Sequence, residues 1–141
     1  MDFLVEHTIH AAPEDVAKIM LDPDREGEWM SKGGKAERLT PGPLEVGSRV
    51  RHDAGILGWK VSFVTSVKAL DPGHSLTMEV VDAKDHGVIV YRVAPTAGGT
   101  IASIHVTDEA MARIPHSVWA RKQQAQANLE QLALAVHRAQ A

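Results

Sequence analysis

Thr100-Ile101-Ala102-Ser103-Ile104-His105-Val106-Thr107-Asp108 and, after Pro115, Val118-Trp119-Ala120-Arg121-Lys122-Gln123-Gln124-Ala125-Gln126-Ala127-Asn128-Leu129-Glu130-Gln131-Leu132-Ala133-Leu134-Ala135-Val136 contain the change of period that decides the fold. The first segment is spaced as a strand. In the second, Val118, Lys122, Ala125, Leu129, Leu132, Ala133 and Val136 fall on one stripe at about 100° per residue, which is helical spacing. The change predicts a long C-terminal helix over about 116–138.

Upstream, from Lys35 to Asp108, no helical pattern occurs. Turn residues break this span at Pro41-Gly42-Pro43, Asp53 to Gly58, Asp71-Pro72-Gly73, Asp85-His86-Gly87 and Pro95 to Gly99. The breaks leave strands at about 35–40, 48–54, 59–70, 75–83, 88–94 and 100–108, and their short connections predict an antiparallel meander. Phe3 to Ala11 forms one more strand, with Phe3, Val5, His7 and Ile9 on its apolar face. Ala12-Pro13-Glu14-Asp15 then starts a helix, with Pro at its first position and two acids at the positive end of the dipole. Val16, Ile19 and Met20 give that helix its apolar side, and Asp22-Pro23 stops it. Asp24 to Met30 adds a further helical turn near Trp29, before Gly33-Gly34. Strand, two short helices, meander and long helix make an α+β chain.

At 141 residues the chain is expected to be a single domain spanning 1–141. Its 44 % hydrophobic content is enough for a real core. Fifteen Lys and Arg against 18 Asp and Glu give a net charge of −3, so the basic excess that nucleic acid binding needs is missing. There is no cysteine, which removes disulfides, thiolate metal sites and a cysteine nucleophile, and fits a reducing compartment. No apolar run approaches the roughly 18 residues of a transmembrane helix. The start, Met1-Asp2-Phe3-Leu4-Val5-Glu6-His7, is acidic where a signal peptide is basic. A cytoplasmic protein with no integral membrane segment is expected. Aromatic residues are only 4 %, so the core is built from aliphatic side chains.

Ile9-His10-Ala11-Ala12-Pro13-Glu14-Asp15-Val16 leading to Asp22-Pro23 and Trp29, then Pro43-Leu44-Glu45-Val46-Gly47-Ser48-Arg49, then Val67 to Pro72 and Gly98-Gly99-Thr100, resemble the START-like superfamily, also called SRPBCC, in its polyketide cyclase/dehydrase branch. The resemblance covers nearly the whole chain and lies in turns and packing points. It implies a helix-grip fold, in which a curved antiparallel sheet of six or seven strands wraps the C-terminal helix and two short helices close one end. It also implies a deep apolar cavity and, as ligand, a hydrophobic small molecule or lipid. The alternatives it leaves open are a polyketide cyclase, aromatase or dehydratase, and an interaction domain related to activators of Hsp90 ATPase. Curvature alone points the same way, because a sheet gripping one helix leaves a gap that Ala125 and Ala133 do not fill.

Phase then selects the wall of that cavity. His7 is in step with Phe3, Val5 and Ile9, and a polar ring on that face needs a partner, either a neighbouring strand or a ligand. His52 is in step with Val50 and Ala54, Phe63 with Val61, Thr65 and Val67, Met78 with Leu76 and Val80, and Tyr91 with Ile89 and Val93. Lys122, inside the helical stripe, either snorkels to the rim or meets the anionic end of a ligand. Trp29 and Trp119 are expected near the mouth or the sheet ends, with packing as the default role of both, and His10 faces solvent. HExxH, GxSxG and a Gly-rich phosphate loop are all absent, and no histidines pair at i,i+4 on a helix, so no metal or cofactor is expected. Oligomeric state stays open.

Overall fold

Strand follows strand in the order the alternation lays down. The structure is a computed structural model and describes residues 2–30, 34–56, 59–81, 87–108 and 118–141. Its elements are β1 (Asp2–Ile9), α1 (Pro13–Met20), a 3₁₀ helix (Pro23–Glu28), β2 (Lys35–Arg38), β3 (Arg49–Ile56), β4 (Trp59–Asp71), β5 (Ser75–Val80), β6 (Gly87–Thr96), β7 (Gly99–Asp108) and α2 (Val118–Gln140). One seven-stranded antiparallel sheet has the order β1-β7-β6-β5-β4-β3-β2. The strands are therefore a meander from β2 to β7, with β1 added beside β7. The second short helix is 3₁₀ rather than α. β3 runs through the Asp53-to-Gly58 break as far as Ile56, where it pairs with Trp59.

Local chemistry explains the connections. Pro72 and Gly73 form the β4–β5 turn, with Gly73 at φ 80° and the His74 N–H donating to the Asp71 carbonyl at 2.9 Å. Proline then a positive-φ glycine is the type II pattern. Pro13 opens α1, which buries Val16, Ala17, Ile19 and Met20. At the 3₁₀ helix the Asp22 side chain accepts from the Asp24 N–H at 3.0 Å, and Pro23 follows it. Between Val67 and Ala69 the β4–β5 register shifts, and such a bulge bends its strand.

α2 packs on β1, β7, α1 and the 3₁₀ helix. Ala125, Leu129, Leu132, Ala135 and Val136 of α2 join Phe3, Val5, Leu76, Met78, Ile89, Val93, Ile104 and Val106 of the strands in one core. Complete burial of side chains such as Leu129 and Leu132 contributes about 1.5–3 kcal/mol each.

The stripe on α2 needs a correction. Lys122 is exposed, while Arg121 is 3 % exposed. The buried arc contains Arg121, Ala125, Asn128, Leu129, Leu132, Ala135 and Val136; Lys122 lies just past its margin, although it shares heptad phase with Leu129 and Val136. The two tryptophans part ways: Trp29 is fully buried in the core, as a packing role implies, whereas Trp119 is 70 % exposed. The predicted start of the helix near residue 116 lies outside the described residues.

Candidate functional site

At one place on the inner face of the sheet, polar groups from four elements converge. The 3₁₀ helix is held at its start by Asp22 and Pro23 and contributes Glu26, whose carboxylate is 4 % exposed. β3 contributes His52, in step with Val50, and β4 contributes Thr65, in step with Val67; β6 contributes Tyr91. His52 Nδ1 lies 2.7 Å from Glu26 Oε2, His52 Nε2 lies 2.8 Å from Thr65 Oγ1, and the Tyr91 hydroxyl donates to Glu26 Oε1 at 3.3 Å. His52 stacks on Phe63 with ring centroids 5.0 Å apart, and Trp29 meets Tyr91 edge-on at 5.4 Å.

The strand positions chosen by phase thus separate by role. His52 and Tyr91 come together through Glu26. Phe63 is half-buried and covers the His52 ring; Met78 is buried in the aliphatic core. His7 is half-buried on the inward side of β1, opposite Ala102 of β7. Lys122 is exposed on α2 and does not join the polar cluster. Glu26 is the residue that the sequence reading missed. An acid in a Pro-Asp-Arg-Glu-Gly-Glu run reads as solvated surface, and only the pairing of an unexplained inward histidine with an unexplained acid could have flagged it.

Electrostatics follow from burial. The Tyr91 phenol is held well above its usual value, first because burial disfavours the phenolate and then because the Glu26 carboxylate faces it. On α2, burial pushes the Arg121 guanidinium down to about 10. Asn128 is 9 % exposed on the same inward arc; its Nδ2 lies 3.3 Å from the Met30 sulfur, and its Oδ1 accepts from Gln124 at 3.2 Å. Among the described residues no three His, Asp or Glu side chains converge as a metal site needs, and no helix is long and apolar enough to cross a membrane. A groove of about 430 Å³ lies between α1 and the end of α2, lined by Asp15, Lys18, Ile19 and Arg25 among others. It contains none of the residues of the polar cluster.

A family model described as polyketide cyclase / dehydrase and lipid transport matches residues 2–136. No curated protein matches the chain at a significant level. Solved structures do. The protein TTHA0849 from Thermus thermophilus is 17 % identical with a TM-score of 0.81, over 100 % of both chains. Ara h 8.0201 is 16 % identical with a TM-score of 0.70, over 98 % of both chains. DynU16, from the dynemicin biosynthetic locus, is 16 % identical with a TM-score of 0.72, over 96 % of this chain and 47 % of its own. At these identities the likeness is one of fold, the seven-stranded helix grip.

Proposed function

The chain belongs to the polyketide cyclase/dehydrase and lipid transport family, and from that premise we propose that it holds a hydrophobic small molecule between the inner face of the sheet and α2. The observation that carries this reading is the uneven burial of the interior. Leu76, Leu129, Leu132 and Val136 are fully buried, yet Phe63 and Met30 keep partial exposure although both are packed against the same core. Aliphatic walls beside one polar cluster suit a ligand that is mostly apolar with one orienting contact. Burial of its aliphatic surface contributes about 25 cal/mol per Å² before association costs are subtracted. The acid and base groups of the cluster are engaged with one another, which favours holding a ligand over turning one over.

The test is titration with N-phenyl-1-naphthylamine, an uncharged apolar fluorophore. Saturable enhancement at one equivalent per chain, reversed by a competing hydrophobic molecule and removed by Ala125→Phe, is the expected result. Ala125 faces inward on α2, so a larger ring there takes up the proposed space at a tolerable cost of about 1–3 kcal/mol. Absence of saturable binding overturns the reading and favours a protein-interaction role.

A further inference from the structure

Proton accounting around the cluster leaves a buried donor over among the described residues. The Tyr91 O–H donates to Glu26 Oε1, His52 lies with Nδ1 2.7 Å from Glu26 Oε2 and Nε2 2.8 Å from Thr65 Oγ1, and the Thr65 hydroxyl donates to the Val50 carbonyl oxygen at 3.5 Å. That chain is closed and ends on a carboxylate. Beside it, the Trp29 indole Nε1–H is fully buried and has no hydrogen-bond partner among the described residues. The Asn128 Nδ2 group points at the Met30 thioether, a weak acceptor, and Met30 is the chain neighbour of Trp29. A flexible methionine thus neighbours both under-used donors, touching the Asn128 amide in space and adjoining Trp29 in the chain.

Resting on the ligand-holding role above, we propose that this subsite reads the polar end of the ligand as a neutral hydrogen-bond acceptor, a carbonyl oxygen, through Trp29 Nε1–H and Asn128 Nδ2–H. Met30, partly exposed, swings aside to admit it. A buried donor without a partner is costly, and an entering acceptor removes that cost, so the donors discriminate strongly for a ligand that can accept. A carboxylate end would add a second negative charge near the buried Glu26. An ammonium end has no lone pair to offer the indole N–H. Arg121, the buried cation of α2, is seven residues from Asn128, about 10 Å along the helix, and is engaged in an interaction of its own. The preference runs opposite to the anionic ligand end suggested by Lys122 in the sequence.

The experiment compares octan-2-one, octanoate and octylamine at pH 7, with N-phenyl-1-naphthylamine as a ligand that owes its binding to apolar surface. The chain's three tryptophans give three indole ¹H–¹⁵N signals, and Trp29 is identified by its loss in Trp29→Phe and, independently, by elimination in Trp59→Phe and Trp119→Phe. Octan-2-one is expected to move the Trp29 indole proton downfield and to bind about tenfold more tightly than either charged analogue. Trp29→Phe and Asn128→Leu should each weaken octan-2-one by about fivefold to tenfold while leaving N-phenyl-1-naphthylamine unchanged. Octan-2-one binding with a stationary Trp29 signal, or octanoate or octylamine binding as tightly, overturns the subsite. If the fluorophore binds and octan-2-one does not, the subsite alone falls; if neither binds, the ligand-holding role falls with it.

Discussion

Truncating Glu26 tests whether the buried cluster is a structural keystone. In Glu26→Ala the His52 Nδ1–H, 2.7 Å from the carboxylate, and the Tyr91 hydroxyl, at 3.3 Å, both lose their acceptor in surroundings closed to water. Each stranded donor costs about 1–3 kcal/mol, and breaking a buried pair by removing one partner costs about 3–5 kcal/mol as a whole. For a chain of this length that corresponds to a fall in Tm of roughly 10–15 °C. Glu26→Gln keeps one acceptor oxygen and should cost only about 1–2 kcal/mol. Glu28, two residues along, makes an exposed ion pair with Arg25 at 2.7 Å, and its removal should cost about 0–1 kcal/mol. Circular dichroism melts and urea unfolding of the three variants, at low and high salt, measure the order. The Glu26 effect should be insensitive to salt because the pair is out of reach of mobile ions. A Glu26→Ala variant no less stable than Glu28→Ala would refute the argument that this carboxylate is buried and satisfied as described.

Tyr91 is the chain's one tyrosine, so phenolate absorbance near 295 nm follows it alone. Its folded pKa is raised above the ordinary value near 10; the stability it contributes is therefore complete below pH 10 and is lost as pH rises through 10 toward the folded value. Ionisation should appear only with alkaline unfolding, and Glu26→Gln should bring it to lower pH; free titration at 10 in the folded chain would contradict this. Gly99 has φ 143°, and a Cβ there would collide with the Ile9 carbonyl oxygen and lie 3.1 Å from the Ala11 nitrogen. Gly99→Ala should therefore destabilise by more than about 2 kcal/mol, against about 1 kcal/mol for Gly73→Ala, where nothing stands within 4 Å; equal midpoints in urea would remove the distinction. Lys122→Met should change stability by less than about 0.5 kcal/mol and leave binding of charged and neutral ligands alike unchanged in calorimetry.

The architecture was legible because it is written in periodicity and turn residues. β1 and β4 to β7 begin or end within a few residues of the breaks that punctuate them, and the Asp71-Pro72-Gly73 turn could be read from chemistry alone. Inward phase was also legible for His52, Met78 and Tyr91. The polar cluster was not, because its centre, Glu26, sits in a short 3₁₀ helix with no period of its own. Which acid of the Asp24, Glu26, Glu28 series turns inward depends on how that helix docks against β3 and β6, a long-range event. The exposure of Lys122, which fits snorkelling to the rim, has a smaller cause. A helical stripe is wider than one residue at each turn, and the choice between Arg121 and Lys122 at its margin is made by the tilt of α2 against β1 and β7, which residue spacing does not encode.

The place of β1 in the sheet has a consequence for how the chain is made. Asp2 pairs with Thr107 and Ile9 with Thr100, so β1 leaves the ribosome with no partner until some ninety residues later in the sequence. The hairpins β3–β4, β4–β5 and β6–β7 can close as soon as they emerge, whereas β1 pairs across the longest sequence separation in the sheet, the kind of contact that slows folding. Phe3, Val5 and Ile9 wait exposed through that interval, as edge-forming apolar segments that invite pairing with other chains. The acidic Asp2 and Glu6 interleaved with them are charges of the sort that discourage such pairing, so β1 carries its own protection during synthesis.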